Sequence, residues 1–475
     1  MVAFDSKQSF TGSTRGTPGE EIRGEYDYVL NYLDIIAYNG QTYSFLGHFA
    51  KVTYEESIFT LPHGSITVVD AVDYYSLLPL IGEEKIRASF TRQDETARAG
   101  EAGRLLPSLD FEMWIYAMTG RNQDQGSRKR QIYTLNYISE GAFKNTTQRV
   151  FSAYKGKLYS DIVEEIHNQY ITHKPIEVEK TMHQMNYLIQ NERPITAIKK
   201  IAHRALSAES TNGIPNGSFF CYYEDTDRYY FTTVSKLFQR SPKIDIRFDV
   251  KNSFDDGSGQ GPRDKQIEKD IYNIDYFHNE SPFDVLASIQ SGEGGGTLIT
   301  IDPLRKKYKK TEYSLKDNFD KQVHIDRSKP FTENSRYAGA KQAIQKLIIT
   351  NSEQNTNANF SADEEIFPTF LEEVKLARDS QKAQILKNSV KVTMSGDPRI
   401  RAGDVINFLM PEMLGKTSKE NPEELSAYFQ GKYLVLGVSH EIKPTSYKMN
   451  LELIKDTFFS NIEHRDPVEE YKNIK

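Results

Sequence analysis

Phe111-Glu-Met-Trp-Ile-Tyr-Ala-Met118 and Gln131-Ile-Tyr-Thr-Leu-Asn-Tyr-Ile138 flank Arg121-Asn-Gln-Asp-Gln-Gly-Ser-Arg-Lys-Arg130. Two apolar and aromatic arms around a charged, glycine-containing tip predict a long β-hairpin. Upstream, residues 25–90 break into short strands at Asn39-Gly40, Pro62-His63-Gly64 and Gly82-Glu83-Glu84. Turn residues at such intervals predict an antiparallel meander or barrel. Aromatics make up 12% of the 475 residues, which suits pleated, half-buried sheet surfaces. The polar stretch between Thr91 and Asp110 is read as a loop.

Past this region the period changes. Leu158, Ile162, Val163, Ile166 and Tyr170 fall at helical spacing, with Ser160-Asp161 as cap chemistry, and a second helix begins at Pro194. Ser218 to Tyr223 and Arg228 to Thr233 bracket Glu224-Asp-Thr-Asp227 as another hairpin. Asp249 to Arg263 is turn-rich and nearly free of apolar residues, which marks a boundary or exposed loop. A short helix near Pro282 to Ile289, the strand Thr297 to Ile301, a polar spacer at 351–359 and a helix through Leu371 to Leu386 follow. The C-terminal part reads as strands at Val390 to Met394, Val405 to Leu409, Tyr433 to Val438 and Tyr447 to Ile454, a small antiparallel barrel. Met413 to Ala427 is a polar excursion.

Lys and Arg number 60 against 66 Asp and Glu, so the net charge of −6 opposes a surface that grips nucleic acid throughout. Cys221 is the only cysteine, which excludes an intramolecular disulfide and a thiolate zinc site. The first residues lack the order of a secretory signal and no run of about 18 apolar residues occurs. An untargeted soluble chain is expected. His440-Glu441 begins like a zinc-protease motif, but Pro444 stands where the second histidine belongs. Gly292-Glu-Gly-Gly-Gly-Thr297 lacks the Gly-Lys-Ser/Thr of a phosphate loop and precedes a strand. The acids at 224–227 and 255–256 lack calcium-loop spacing, and Gly-Val-Ser439-His-Glu lacks the second glycine of a nucleophile elbow. Arg305-Lys-Lys-Tyr-Lys-Lys310 is the strongest charge run. In a net-acidic chain it suits a solvated loop or a patch facing an acidic neighbouring subunit better than a phosphate site. No catalytic, cofactor-binding or metal-binding residue is assigned, and no enzyme activity is expected.

Several segments, in order, carry a resemblance. Tyr54-Glu-Glu-Ser-Ile-Phe59, Gly64-Ser-Ile-Thr-Val-Val-Asp70 and Leu78-Pro-Leu-Ile-Gly-Glu-Glu84 before a strand at Lys85 to Phe90 resemble the first tube domain of baseplate hub proteins from contractile phage tails. Gly396-Asp-Pro-Arg-Ile-Arg-Ala-Gly-Asp-Val405, Phe429-Gln-Gly-Lys-Tyr-Leu-Val-Leu-Gly-Val438 and Met449-Asn-Leu-Glu-Leu-Ile-Lys455 resemble the second, and Ile301-Asp-Pro-Leu-Arg-Lys-Lys-Tyr308 fits between them. The loop at 91–110 and the excursion at 413–427 depart from the pattern.

The resemblance implies a β-rich α+β fold with two tube-type antiparallel β-barrels and an inserted helical and hairpin domain. The expected division is 1–153 for the first barrel, 154–265 for the helix and hairpin domain, 266–305 with 386–458 for the second barrel, 306–385 for a basic loop, spacer and helices, and 459–475 for a charged tail. It further implies a homotrimer whose six barrels ring a channel. Such a ring would join the tail tube or a tube initiator to a central spike, with tape-measure protein and DNA passing without specific binding and no membrane partner. The place would be the virion baseplate, after assembly in host cytoplasm. Candidate contacts are Tyr54, Glu55, Ser57 and Phe59, and Arg305, Lys306, Lys307, Tyr308, Lys309 and Lys310. A related injection-machine hub, a tail-associated wall hydrolase and a carbohydrate-binding β protein are the alternatives.

Overall fold

The fold is that of a computed structural model, which describes residues 10–11, 26–78, 80–92, 107–123, 130–211, 214–215, 218–248, 271–279, 283–303, 306–349, 355–357, 371–411, 426 and 428–458. The hairpin read first is present as Leu109–Gln123 against Gln131–Ile138. It sits inside a sheet of fourteen strands among the described residues. In the first half, neighbours run in the order Val29–Ile36, Lys85–Thr91, Leu109–Gln123, Gln131–Ile138, Thr60–Asp70 and Phe49–Ser57. Phe49–Ser57 then pairs antiparallel with Gly431–Lys443, and the sheet continues through Ser446–Ile454, Ser389–Ser395 and Ile274–Asn279. The predicted β-rich architecture holds, and the two halves form one hydrogen-bonded surface.

Each half curls around its own core, as alternation along antiparallel strands requires. In the first, Tyr54 stacks on Phe111 at 4.9 Å, Phe111 on Tyr137 at 5.7 Å, and Phe90 meets Tyr447 edge-on at 5.2 Å. Fully burying each such ring is worth roughly 1.5–3 kcal/mol. Gly64 is required here, because a Cβ would lie 2.6 Å from the Tyr137 ring. Ile442 and Tyr447 enter this core from the distant C-terminal hairpin. The Tyr447 N–H donates to the Tyr26 carbonyl at 3.0 Å and the Tyr28 hydroxyl to the Lys443 carbonyl at 2.8 Å. These bonds close the first barrel.

The second barrel packs Ile274, Val392, Met394, Phe408, Tyr433 and Leu451. Pro242–Arg247 pairs in parallel with Val405–Leu409, and Arg247 bridges Asn273, returning the sheet to its own edge. This differs from the sequence expectation, which placed 242–247 with the helical domain; the apolar Ile246 is completely buried in the second core instead.

Between the barrels in sequence lies a unit with its own core, in which the helices Tyr159–Ile166 and Pro194–Arg204 cover strands Val150–Leu158 and Gln184–Glu192. Leu158 rather than Ser160 is the first helix's cap residue, since the Ser160 N–H is taken by Thr181 Oγ1 at 2.9 Å. Strand Gly295–Asp302, expected in the second barrel, forms a separate three-stranded sheet with Lys307–Ser314 and Gln345–Ile349. The helix Leu371–Lys387 covers one face of that sheet, placing Leu376 against Leu298. Lys307 to Lys310 of the basic run thus open a strand and are not loop. Residues 249–263, 93–106, 413–425 and 459–475, read as loops and tail, lie outside the described residues.

Candidate functional site

The seam between the barrels is set by alternation. Val52, Tyr54 and Glu56 of one seam strand and Val438, His440 and Ile442 of the other turn inward, while Glu55, Ser57, Ser439 and Glu441 turn outward. Strand register then aligns His63, Glu55, Ser439, Asn450, Thr393 and Tyr276 as one row across six strands. A cleft of about 530 Å³ opens over this row, walled also by Ser57, Lys391 and Glu452.

The open face is rich in hydroxyls and amides that bond one another. Thr393 Oγ1 donates to Asn450 Oδ1 at 2.7 Å, Thr53 and Ser65 hydroxyls lie 3.0 Å apart, and those of Thr67 and Thr134 lie 3.1 Å apart. Several of its charges are matched in place. Glu441 sits 2.6 Å from Lys51 and 2.5 Å from Lys443, and Asp275 lies 3.4 Å from Lys448. Glu55 accepts from Ser439 Oγ at 3.3 Å and meets His63 Nε2 at 3.3 Å. The His63 contact holds the Glu55 carboxyl below its ordinary range, and Glu55 raises the imidazole in return. The carboxylate lies between hydroxyl and imidazole, an order different from the serine–imidazole–carboxylate arrangement in which an imidazole takes the serine proton.

Behind the row, Glu56 is buried. Its Oε1 accepts from the Ala402 N–H at 2.8 Å and its Oε2 from the Tyr54 hydroxyl at 3.0 Å. Burial pushes its carboxyl up to about 7, against the opposing pull of the Arg401 guanidinium and the Ala402 N–H. His440, also buried, is driven well below its usual range by burial, with Arg401 adding repulsion, and its Nδ1 is bonded to the Tyr447 hydroxyl at 2.7 Å. Among the described residues no three His, Cys, Asp or Glu side chains converge in a way that could hold a metal ion. No described helix is long and apolar enough to cross a membrane.

The predicted contact residues scatter across this plan. Glu55 and Ser57 lie on the open face. Tyr54 is a correction: at 1% exposure, its ring belongs to the first core and offers nothing to a partner. Phe59 is half-buried and stacks on Phe219 at 6.1 Å, tying the first barrel to the middle unit. Lys307, Tyr308, Lys309 and Lys310 belong to the separate small sheet, Lys306 lies in the turn before it, and Arg305 lies outside the described residues. Asn450, Thr393 and Tyr276 went unnoticed in the sequence. Polar positions alternating on their strands were the available signal, but the register that aligns them was not.

No family model matches the chain, and no curated protein sequence matches it. Solved structures do. The 43 kDa tail protein of prophage MuSo2 from Shewanella oneidensis is 9% identical, with a TM-score of 0.52 over 90% of this chain and 99% of that one. A tail protein from Neisseria meningitidis MC58 is 8% identical, with a TM-score of 0.48 over 91% and 98%. An Escherichia coli component of the type VI secretion system is 9% identical, with a TM-score of 0.39 over 86% and 73%. The resemblance to tail hub proteins read from the sequence is thereby borne out for the fold, which this chain shares with the MuSo2 tail protein.

Proposed function

We propose that the chain is a structural, non-enzymatic hub of a contractile phage tail, three copies of which form a pseudo-six-fold ring between tail tube and central spike. The observation that carries this reading is the fusion of two barrels into one sheet with a common polar face. Two barrels per chain give three copies six repeats, the number needed to match a three-fold to a six-fold partner. In this reading the row from His63 to Tyr276 lines the channel. Hydroxyls that exchange hydrogen bonds and cations already matched to carboxylates would let a polyanion slide past, because phosphates find no run of unneutralised cations to release counterions from. The net charge of −6 per copy acts in the same direction. Residues 26–138 with the closing hairpin would be the first tube domain, and the strands at 242–247, 274–279, 389–395, 405–409 and 431–454 the second.

Mass photometry of the purified chain, followed by negative-stain imaging with its candidate spike protein, tests the proposal. A trimeric ring capping the spike is expected. A monomer at micromolar concentration that ignores the spike would remove the hub reading.

A further inference from the structure

Residues 319–328 form a strap that crosses from one core to another. Phe319 belongs to the core of the small sheet, with Leu298, Tyr313 and Leu315, whereas Ile325 is buried with Val405, Leu434 and Ile454 on the side of the second barrel. His324 stands at the joint. Its ring stacks on Phe319 with centroids 3.8 Å apart, and its Nδ1 lies 2.7 Å from Oδ2 of Asp456, just past the strand Ser446–Ile454. The His324 side chain is 9% exposed and that of Asp456 1%, so water screens the pair little. The strap is stitched to the same few residues. The Ile325 N–H donates to Asp456 Oδ1 at 3.2 Å and the Asp326 N–H to Thr457 Oγ1 at 2.9 Å, while the N–H groups of Ser328 and Phe458 each donate to the other's carbonyl at 3.1 and 3.0 Å.

The second ring nitrogen fixes the protonation. Nε2 lies 2.9 Å from the Phe319 carbonyl oxygen. A carbonyl and a carboxylate only accept, so both contacts are hydrogen bonds at once only while both ring nitrogens carry protons. A neutral ring has one N–H, and its other nitrogen would set a lone pair against an oxygen in a nearly dry site. Burial lowers the imidazole, but the Asp456 carboxylate, the Phe319 carbonyl and Asp320 outweigh it and leave it raised.

We propose that His324 and Asp456 form a proton-dependent clasp between the small sheet and the second barrel, closed while the imidazole is doubly protonated and released when it gives up a proton. The clasp lies within one chain, so it goes beyond the hub reading and stands or falls independently of trimer formation. Its contribution is fully present below pH 6.5 and is lost as pH rises through the raised value. Around the joint stand Asp320, paired with Lys329 at 3.0 Å, Asp326, which accepts from the Lys432 N–H at 3.0 Å, and Lys455. Burial lowers Lys455 to about 7 against the pull of Asp326, so stability gained from its neutralisation rises with pH, the opposite sign to His324. Neutral or charged, its amine keeps hydrogens for the Tyr428 and Gln430 carbonyls. A local measurement therefore separates the clasp from total stability.

Hydrogen exchange in the full-length protein, corrected for the intrinsic pH dependence of exchange, provides it. Between about pH 6 and about pH 9, protection of the Ile325, Asp326, Ser328 and Phe458 amides should fall about tenfold or more, while Val405–Leu409 keeps its protection. His324→Gln has no proton to lose and should show the lower protection at both pH values. Four amides equally protected at both pH values in the wild type overturn the clasp. So does a loss shared with Val405–Leu409, or one that persists in His324→Gln. If the variant unfolds throughout, the wild-type comparison decides alone.

Discussion

The two barrels close differently. The second returns to itself, with Arg247 bridging Asn273 and its core drawn from strands of its own sheet half. The first reaches closure only through the hairpin that follows Gly431, whose Ile442 and Tyr447 complete its core and whose backbone bonds to Tyr26. The barrel built from the N-terminal half is therefore a shared object, and its stability depends on residues more than 300 positions away. A seam that is also a core contact makes the halves cooperative, so their common face keeps a fixed curvature.

Tyr447→Ala probes this contrast most strongly. It removes a ring packed against Tyr28 and Phe90 and the hydroxyl bonded to His440, and should cost about 3–5 kcal/mol in urea unfolding. Hydrogen exchange should show Val29–Ile36 losing protection before Val405–Leu409. Equal loss in both strands would mean that the barrels do not differ in this way. Gly64→Ala should cost about 1–3 kcal/mol, read as a lowered Tm, because the added methyl meets the Tyr137 ring and the Thr53 carbonyl.

Glu56 sharpens the comparison through pH. Its folded-state value, about 7, lies above the ordinary 4.5, so its contribution is fully present below pH 4.5 and is lost as pH rises toward 7. Glu56→Gln should flatten that part of the stability profile in denaturant titrations; an unchanged slope would assign the dependence elsewhere. The smallest effect belongs to Glu55 and His63. The carboxyl is lowered and the imidazole raised, so their attraction acts between pH 4.5 and 6.5, lost below as Glu55 protonates and above as His63 deprotonates. Both side chains are nearly half exposed, and a double-mutant cycle should find no more than about 0.5 kcal/mol.

Much of the sheet was readable because alternation and turn chemistry are local. The hairpin of Leu109–Gln123 with Gln131–Ile138 and the helix opening at Pro194 follow directly from their residues. The seam was not readable, since pairing Glu55 with Ser439 depends on register between distant strands. Charge misled twice. Lys307 to Lys310 looked like solvated loop, although an exposed edge strand tolerates lysine at three of these four positions. Lys455 and Asp456 stand just before the stretch read as a charged tail, yet both are buried: Lys455 Nζ donates to the Tyr428 carbonyl at 2.5 Å and lies over Tyr433, and Asp456 meets His324 at 2.7 Å. Their partners come from other parts of the fold, which no local window contains.

The borrowed hairpin also sets a timetable. On the ribosome, the strands through Ile138 emerge long before Tyr447 does; at about 5–20 residues per second the wait is roughly 15–60 s. Until then the N-terminal barrel is an open sheet with an unsealed aromatic core and an unpaired edge at Phe49–Ser57. During that interval the nascent chain is most exposed to mispairing with other chains and most dependent on chaperones.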